Sequence, residues 1–253
     1  MGSLLVGTSF AKSLSLALGV PLLDINHMQG HVLAHFIADE NCPKPTFPFL
    51  CLTISGGHTQ IVKVASYFEM EVLGETIDDA VGEAFDKSAK ILNLPYPGGP
   101  LIDKYAQLGN PKAFSFTKPK VGDLDFSFSG LKTSILYFIQ EQTRKNQHFI
   151  DQHRADLCAS IQHTIVSILM KKIHAAVAQT GITQVAIGGG VSANSGVRNA
   201  LKNEGSAAGW TTYIPPFEYC TDNAAMIGIV GYFKYLEGQF SAQNISAQAR
   251  YPI

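Results

Sequence analysis

Two histidines one helical turn apart, His27 and His31 in the run Asn26-His-Met-Gln-Gly-His31, are the residues best suited to share a metal ion. At i and i+4 on a helix both imidazoles project from one face, and neutral imidazole is a common ligand of divalent transition metals. The same spacing also serves ordinary surface or core histidines, so the pair needs support from the rest of the chain. His35 continues the series, but lies about 12 Å along the axis from His27 and reads as a neighbour. A zincin peptidase sets a glutamate directly after the first histidine as general base. Met28 occupies that position and Gln29 is the polar residue between, which leaves a metallopeptidase as the weaker alternative.

Two glycine turns could approach a substrate closely. Ser55-Gly56-Gly57-His58 joins two β-rich runs, and its backbone amides suit either an ordinary hairpin or a phosphate or carboxylate ligand. Gly188-Gly189-Gly190-Val-Ser-Ala-Asn194 follows an apolar strand and precedes a helix, an arrangement that aims helix amides at an anion. It matches G-x-G-x-x-A formally, yet position 208, where a dinucleotide fold wants an acid, is alanine. Gly130-Leu-Lys132-Thr133 lacks the P-loop spacing. Asp79, Glu83 and Asp86 form one acidic helix side, equally suited to solvent, with Asp86 paired to Lys90, or to the hydroxyls of a ribose. Asp222, just after a possible cap at Thr221, opens the last helix, where the helix dipole favours a carboxylate with or without a metal.

The elements that must position these residues alternate between helix and strand. A helix is expected from about Ser3 to Leu18 with a stop at Gly19, then a short strand around Val20 to Ile25 and a helix from His27 to about Ile37. Cys42 to Pro48 reads as a connection, and Phe49–Ile54 with Thr59–Val64 as a hairpin. A Thr76/Asp79 capping box predicts a helix whose apolar stripe is Val81, Phe85, Ser88 and Leu92. Tyr96-Pro-Gly-Gly-Pro100 is expected to be a stiff loop, with irregular chain to about Ser127. Helices follow after Gly130 and over about 156–180, a strand at Gln184–Ile187, a helix at Ala193–Asn203, a strand at Trp210–Ile214 and a final helix near Asp222. The alternation predicts a mixed α/β fold.

Composition sets the outer limits. The 253 residues, 46% hydrophobic and 15% charged, can bury a core without disulfides. The scattered Cys42, Cys51, Cys158 and Cys220 fit reduced thiols in a cytoplasmic protein. A net charge of −1 gives no global footprint for nucleic acid, so any RNA contact must be local. Seven Lys/Arg against three Asp/Glu between Lys104 and Lys145, with Phe114, Phe116, Phe126 and Phe128 among them, offer such a patch, or merely a solvated insertion. The apolar start lacks a basic leader and is broken by Lys12, which argues against a signal peptide, and no apolar run reaches a membrane span.

Six collinear motifs, NHMQGHVLAH, TISGGHTQIV, GETIDDAVGEAFDKSAKILNLPYPGGP, DFSFSGLKTSI, GGGVSANSGVR and PPFEYCTDNAAMIG, cover nearly the whole chain. Together they closely resemble the universal tRNA threonylcarbamoyladenosine synthases, the bacterial TsaD family, formerly known as O-sialoglycoprotein endopeptidases. The resemblance implies an α/β fold of the actin, Hsp70 and sugar-kinase (ASKHA) type, two lobes with a nucleotide-type substrate between them. It divides the chain into 1–47, the remainder of an N-terminal lobe, and 48–253, a C-terminal lobe with an insertion at about 95–180. By the same analogy His27, His31 and Asp222 hold one divalent metal, Fe2+ or Zn2+. Thr53, Ile54, Ser55, Gly56 and Gly57 contact the substrate phosphate or carbonyl, Asp86 the ribose, Gly99 the base or ribose, and Asn194 the nucleotide. The implied reaction carries threonylcarbamoyl from threonylcarbamoyl-AMP to the N6 amine of the adenosine beside the anticodon, in tRNAs reading ANN codons. The implied partners are tRNA, a shorter TsaB-like paralogue and a small TsaE-like ATPase. Two departures stand out. Gln29 replaces the acid of the family's usual H-x-E-G-H, with metal binding expected to survive. The family's opening β-rich segment, with its D-x-T/S phosphate motif, has no counterpart here, so an inactive nucleotide-binding fragment is a further alternative.

Overall fold

The computed structural model describes residues 2–37, 43–248 and 253. Helix α1 (Gly2–Leu18) ends at Gly19, whose φ of +63° is the left-handed conformation that closes a helix. The strand expected at Val20–Ile25 does not form: among the described residues this stretch makes a single bridge, Leu22 to Ser241, and no ladder. Helix α2 (His27–Leu33) tightens into a 3₁₀ turn, Ala34–Phe36. Cys42, where the expected connection starts, lies outside the described residues; its other end closes on a cis Phe47–Pro48 bond.

Strands β1 (Phe49–Ile54) and β2 (Thr59–Val64) pair antiparallel in the register Thr53 to Gln60, as the hairpin signal predicts. A third strand, β3 (Met70–Glu75), was not apparent from the sequence, where Glu69, Glu71 and Glu75 break the apolar pattern expected of a strand; as an edge strand it keeps those acids in solvent. Helix α3 (Val81–Ile91) starts later than the predicted Thr76/Asp79 box. The Thr76 hydroxyl donates to the Asp79 carbonyl rather than capping a helix, and Thr76 bridges to Phe126. The apolar stripe is as expected: Val81, Phe85, Ser88 and Leu92 are all buried. A cis Tyr96–Pro97 bond leads into α4 (Gly98–Ala106), so the supposed loop Tyr96–Pro100 is half helix; its two glycines masked the signal.

Helices α5 (Ser129–Lys145) and α6 (Phe149–Thr180) follow, α6 bent at His153. The chain then runs through β4 (Gln184–Gly188), a 3₁₀ turn at Gly190–Ala193, α7 (Ser195–Ala208), β5 (Thr211–Tyr213) and α8 (Ala224–Leu236). The sheet order is β3-β2-β1-β4-β5, with β4 parallel to both β1 and β5. Its alternating side chains feed two cores. Leu50, Leu52 and Ile54 pack with α3 to α7, while Phe49, Cys51 and Val62 face the segment around Val32, Leu33 and Val230 of α2 and α8. Phe116, Phe126 and Phe128 are buried in the first of these, so they serve packing rather than an exposed aromatic surface. Among the described residues the thiols of Cys51, Cys158 and Cys220 are free and buried, and no helix is long and apolar enough to cross a membrane.

Candidate metal centre and substrate cleft

Helix α2 begins at the first of the two histidines because Asn26 fixes it there. The Asn26 side chain accepts from the amides of Met28 and Gln29, satisfying donors a helix start leaves unpaired. Helix α2 packs on α8 here, with Gly30 facing Met226. Through this packing α2 meets the loop ahead of α8, and Asp222 Oδ1 comes to 3.3 Å from His27 Nε2 and 3.2 Å from His31 Nε2. Among the described residues His27, His31 and Asp222 form the one group whose ligand atoms converge this closely, all within 4.8 Å.

The donor set fits a divalent transition ion. Ligands about 2.0–2.2 Å from a common centre stand roughly 3.0–3.5 Å apart, which is the spacing of both histidines from the carboxylate. The His31 side chain is 1% exposed; its Nδ1 has no hydrogen-bond partner and its Nε2 faces only Asp222 Oδ1 at 3.2 Å, an arrangement costly for a buried imidazole that has nothing further to bind. Burial lowers its pKa, and the adjacent His27 and His58 push the same way against the Asp222 carboxylate, a direction that favours the neutral ring a ligand requires. Met28, at the zincin glutamate position, is buried and leaves no carboxylate there. His35 is separate from this centre: its Nε2 donates to the Ile187 carbonyl in the core, 2.9 Å away. The cap of α8 is Asn223, which accepts from Met226, not Thr221; Asp222 is thereby left projecting ahead of the helix.

A cleft of about 290 Å³ opens between the Gly56 turn, α3, α4 and the turn before α7. Gly82 lets α3 lie against the first turn, since a Cβ there would be 2.7 Å from the Ser55 carbonyl. Asp86, also on the cleft wall, accepts through Oδ1 from Gly98 N at 2.8 Å and Gly99 N at 3.1 Å and so caps α4 from a neighbouring helix. Its expected partner Lys90 is replaced by other pairs on that face, for Lys87 binds Asp79 and Glu83. Asn194 lines the cleft as well; its Oδ1 accepts from Val197 N and its Nδ2 donates to Gln162.

Of the five residues in the first turn, Thr53 and Ile54 are wholly buried and only Gly56 lines the cleft. Gly57 and His58 already donate to the Ser55 hydroxyl, which narrows the amides left for an anion. The start of α7 is similarly filled, because Asp103 accepts from both the amide and hydroxyl of Ser195. Asp103 escaped sequence reasoning; the signal was an acid one turn after Gly99, on the same face of what proves to be a helix. Gly188 and Gly189 bring the two halves of the site together. A Cβ on Gly188 would stand 2.9 Å from the His31 carbonyl, and Gly189, at φ +87°, lies where a Cβ would meet the Ile54 carbonyl at 2.5 Å. The paired histidines and the glycine turns therefore gather at the carboxyl ends of the parallel strands β1 and β4, where open α/β sheets bind ligands.

The model of the TsaD family, tRNA N6-adenosine threonylcarbamoyltransferase, matches residues 1–229. The enzyme of that name from Christiangramia forsetii is 67% identical over 251 residues, covering 99% of this chain and 74% of that protein. Its counterpart in Riemerella anatipestifer is 56% identical over 253 residues, covering 100% of this chain and 74% of its own. Among solved structures, full-length HypF in its phosphate- and nucleotide-bound form superposes with a TM-score of 0.65 at 13% identity, over 87% of this chain and 37% of that one. HypF from T. kodakarensis gives 0.58 at 15% identity, over 91% of this chain and 39% of its own. At these identities the likeness concerns the fold, which is α/β of the ASKHA type.

Proposed function

The chain belongs to the TsaD family of tRNA N6-adenosine threonylcarbamoyltransferases, and from that premise we propose that it transfers threonylcarbamoyl from threonylcarbamoyl-AMP to the N6 amine of the adenosine beside the anticodon in tRNAs reading ANN codons. The observation that carries this reading is the meeting of His27, His31 and Asp222 at the same sheet end as the glycine turns. In this reading His27, His31 and Asp222 hold one divalent ion, Fe2+ or Zn2+, which nitrogen and oxygen donors suit alike. When bound, such an ion supplies Lewis acidity to substrate oxygens.

The protein's own groups have orientation as their main task, because a mixed anhydride is already activated. Asp86 Oδ2, which takes no part in the cap on α4, accepts from the ribose hydroxyls. The small residues Gly56 and Gly99 admit the nucleotide against the backbone, with Ser55, Gly57 and the chain at Thr53–Ile54 shaping that turn, and Asn194 bounds the far wall. Phe85 gives the cleft an apolar side for the base. tRNA is the acceptor, and a TsaB-like paralogue and a TsaE-like ATPase are the partners, working in the cytoplasm.

The test is direct. The protein, combined with threonylcarbamoyl-AMP, its partners and tRNA, should yield threonylcarbamoyladenosine, measured by mass spectrometry of the digested tRNA. His31→Ala should lower the rate by about 100-fold or more, the scale on which lost metal centres and preorganised charge act. Normal turnover by metal-free His31→Ala protein would overturn the mechanism.

A further inference from the structure

Asp222 poses a positioning problem. Its side chain is 76% exposed, so packing does little to hold it where His27 and His31 need it. Its position has to come from the loop 215–223, and that loop is anchored at both ends of a short span. On the downstream side Asn223 caps α8 through Met226 N. On the upstream side Cys220 is wholly buried, with its Sγ 3.3 Å from the Pro216 carbonyl.

One guanidinium joins that loop to the opposite wall of the site. Arg198, on α7, reaches back with Nη1 to the Ser192 carbonyl at 3.2 Å, the Pro215 carbonyl at 3.0 Å and Cys220 Sγ at 3.6 Å. Its central carbon also stands 4.3 Å from the centre of the Phe217 ring. Ser192 belongs to the 3₁₀ turn Gly190–Ala193, whose neighbours Gly190, Val191 and Asn194 line the cleft. A planar guanidinium can stack flat on a ring while its N–H groups donate to carbonyls beside it; a lysine ammonium, a compact point charge, does not reproduce that planar stack.

We propose that Arg198 is a positioning residue that ties the loop carrying Asp222 to the glycine turn of the cleft, so that the carboxylate stands against the two histidines. This rests on the reading of His27, His31 and Asp222 as metal ligands, and it adds a residue that touches neither metal nor substrate. Supporting groups of this kind change metal affinity by about 10–100-fold when removed.

The test uses Co2+ as the probe, titrated into the metal-free full chain and followed by its visible d–d absorption, with thermal unfolding measured on each variant. Wild type should bind and Asp222→Ala should not; equal binding by both would overturn the ligand reading itself, separately from the role of Arg198. Given that difference, Arg198→Met should bind about 10-fold or more weakly, with Arg198→Lys in between and Phe217→Ala weakened. Leu201→Ala, which removes a buried side chain from the same helix but none of the Arg198 contacts, should be destabilised yet keep wild-type Co2+ affinity. Binding by Arg198→Met within twofold of wild type, or an equal loss in Leu201→Ala, would overturn the proposal. Should Arg198→Met fail to fold, Arg198→Lys and Phe217→Ala decide by the same criterion.

Discussion

In the proposed function Asp86 serves two ends with one carboxylate, the cap on α4 and the ribose. Oδ1 is taken by the first amides of α4, so part of its value is structural. Asp86→Asn keeps a carbonyl that can accept those amides but removes the charge; it should unfold within about 1 kcal/mol of wild type while the KM for threonylcarbamoyl-AMP rises about 10-fold, as expected for a lost charged hydrogen bond. Asp86→Ala removes the cap as well and should cost about 1–2 kcal/mol in urea unfolding. An unchanged KM in the Asn variant would reduce Asp86 to a helix cap. His31 shows the opposite case, a buried ring whose Nδ1 is unpartnered and whose Nε2 meets only the exposed Asp222 carboxylate.

At the scale of elements, the site depends on how closely a helix may approach a strand end. Gly188 is the point of contact between β4 and the backbone of His31. Gly188→Ala pushes a methyl group onto a carbonyl that cannot turn away, so α2 must shift; overpacking of this kind costs about 1–3 kcal/mol. The expected result is a loss of Co2+ affinity well beyond what the stability change alone explains. Gly190→Ala, two residues on with nothing within 4 Å of the added atom, is the control and should bind Co2+ normally. A second tie between elements runs through Asp78, which accepts from Ser127 Oγ, Ser129 Oγ and the amide of Phe128 and so fastens the start of α5 to the approach to α3. Burial alone would raise its pKa, but these hydrogen bonds outweigh that and hold the carboxyl below its usual range.

Across the whole molecule, the clearest pH dependence lies in the core rather than at the site. His35 is buried, and burial, only partly offset by its bond to Ile187, drives its pKa down to about 4. The unfolded chain protonates this ring near pH 6.5 and the folded one only near 4, so the unfolded state holds more protons between those values. Stability is therefore full above about pH 6.5 and falls as pH drops, by about 2–3 kcal/mol between pH 7 and 4.5. Urea unfolding of wild type and His35→Gln at those two pH values checks this: the glutamine variant should lose less by about that amount. Equal losses would show that His35 is not the group responsible.

The sequence by itself determined the family, the hairpin of β1 and β2, the buried stripe of α3 and the pairing of His27 with His31, because each is written in local spacing or in collinear motifs. It missed β3, an acidic edge strand, and α4, whose opening glycines look like a loop although Asp86 caps them from another helix. It also filled the start of α7 with a ligand, where Asp103 and Asn194 supply the acceptors. Only the tertiary structure decided that Asp222 reaches the histidines, that Thr53 and Ile54 are buried while Gly56 lines the cleft, and that Arg198 binds one wall of the site to the other. The physical reason is range: periodicity and caps act within a turn or two of chain, whereas a carboxylate 191 positions from His31 is placed by the packing of α8 on α2 and by the anchored loop that leads into α8.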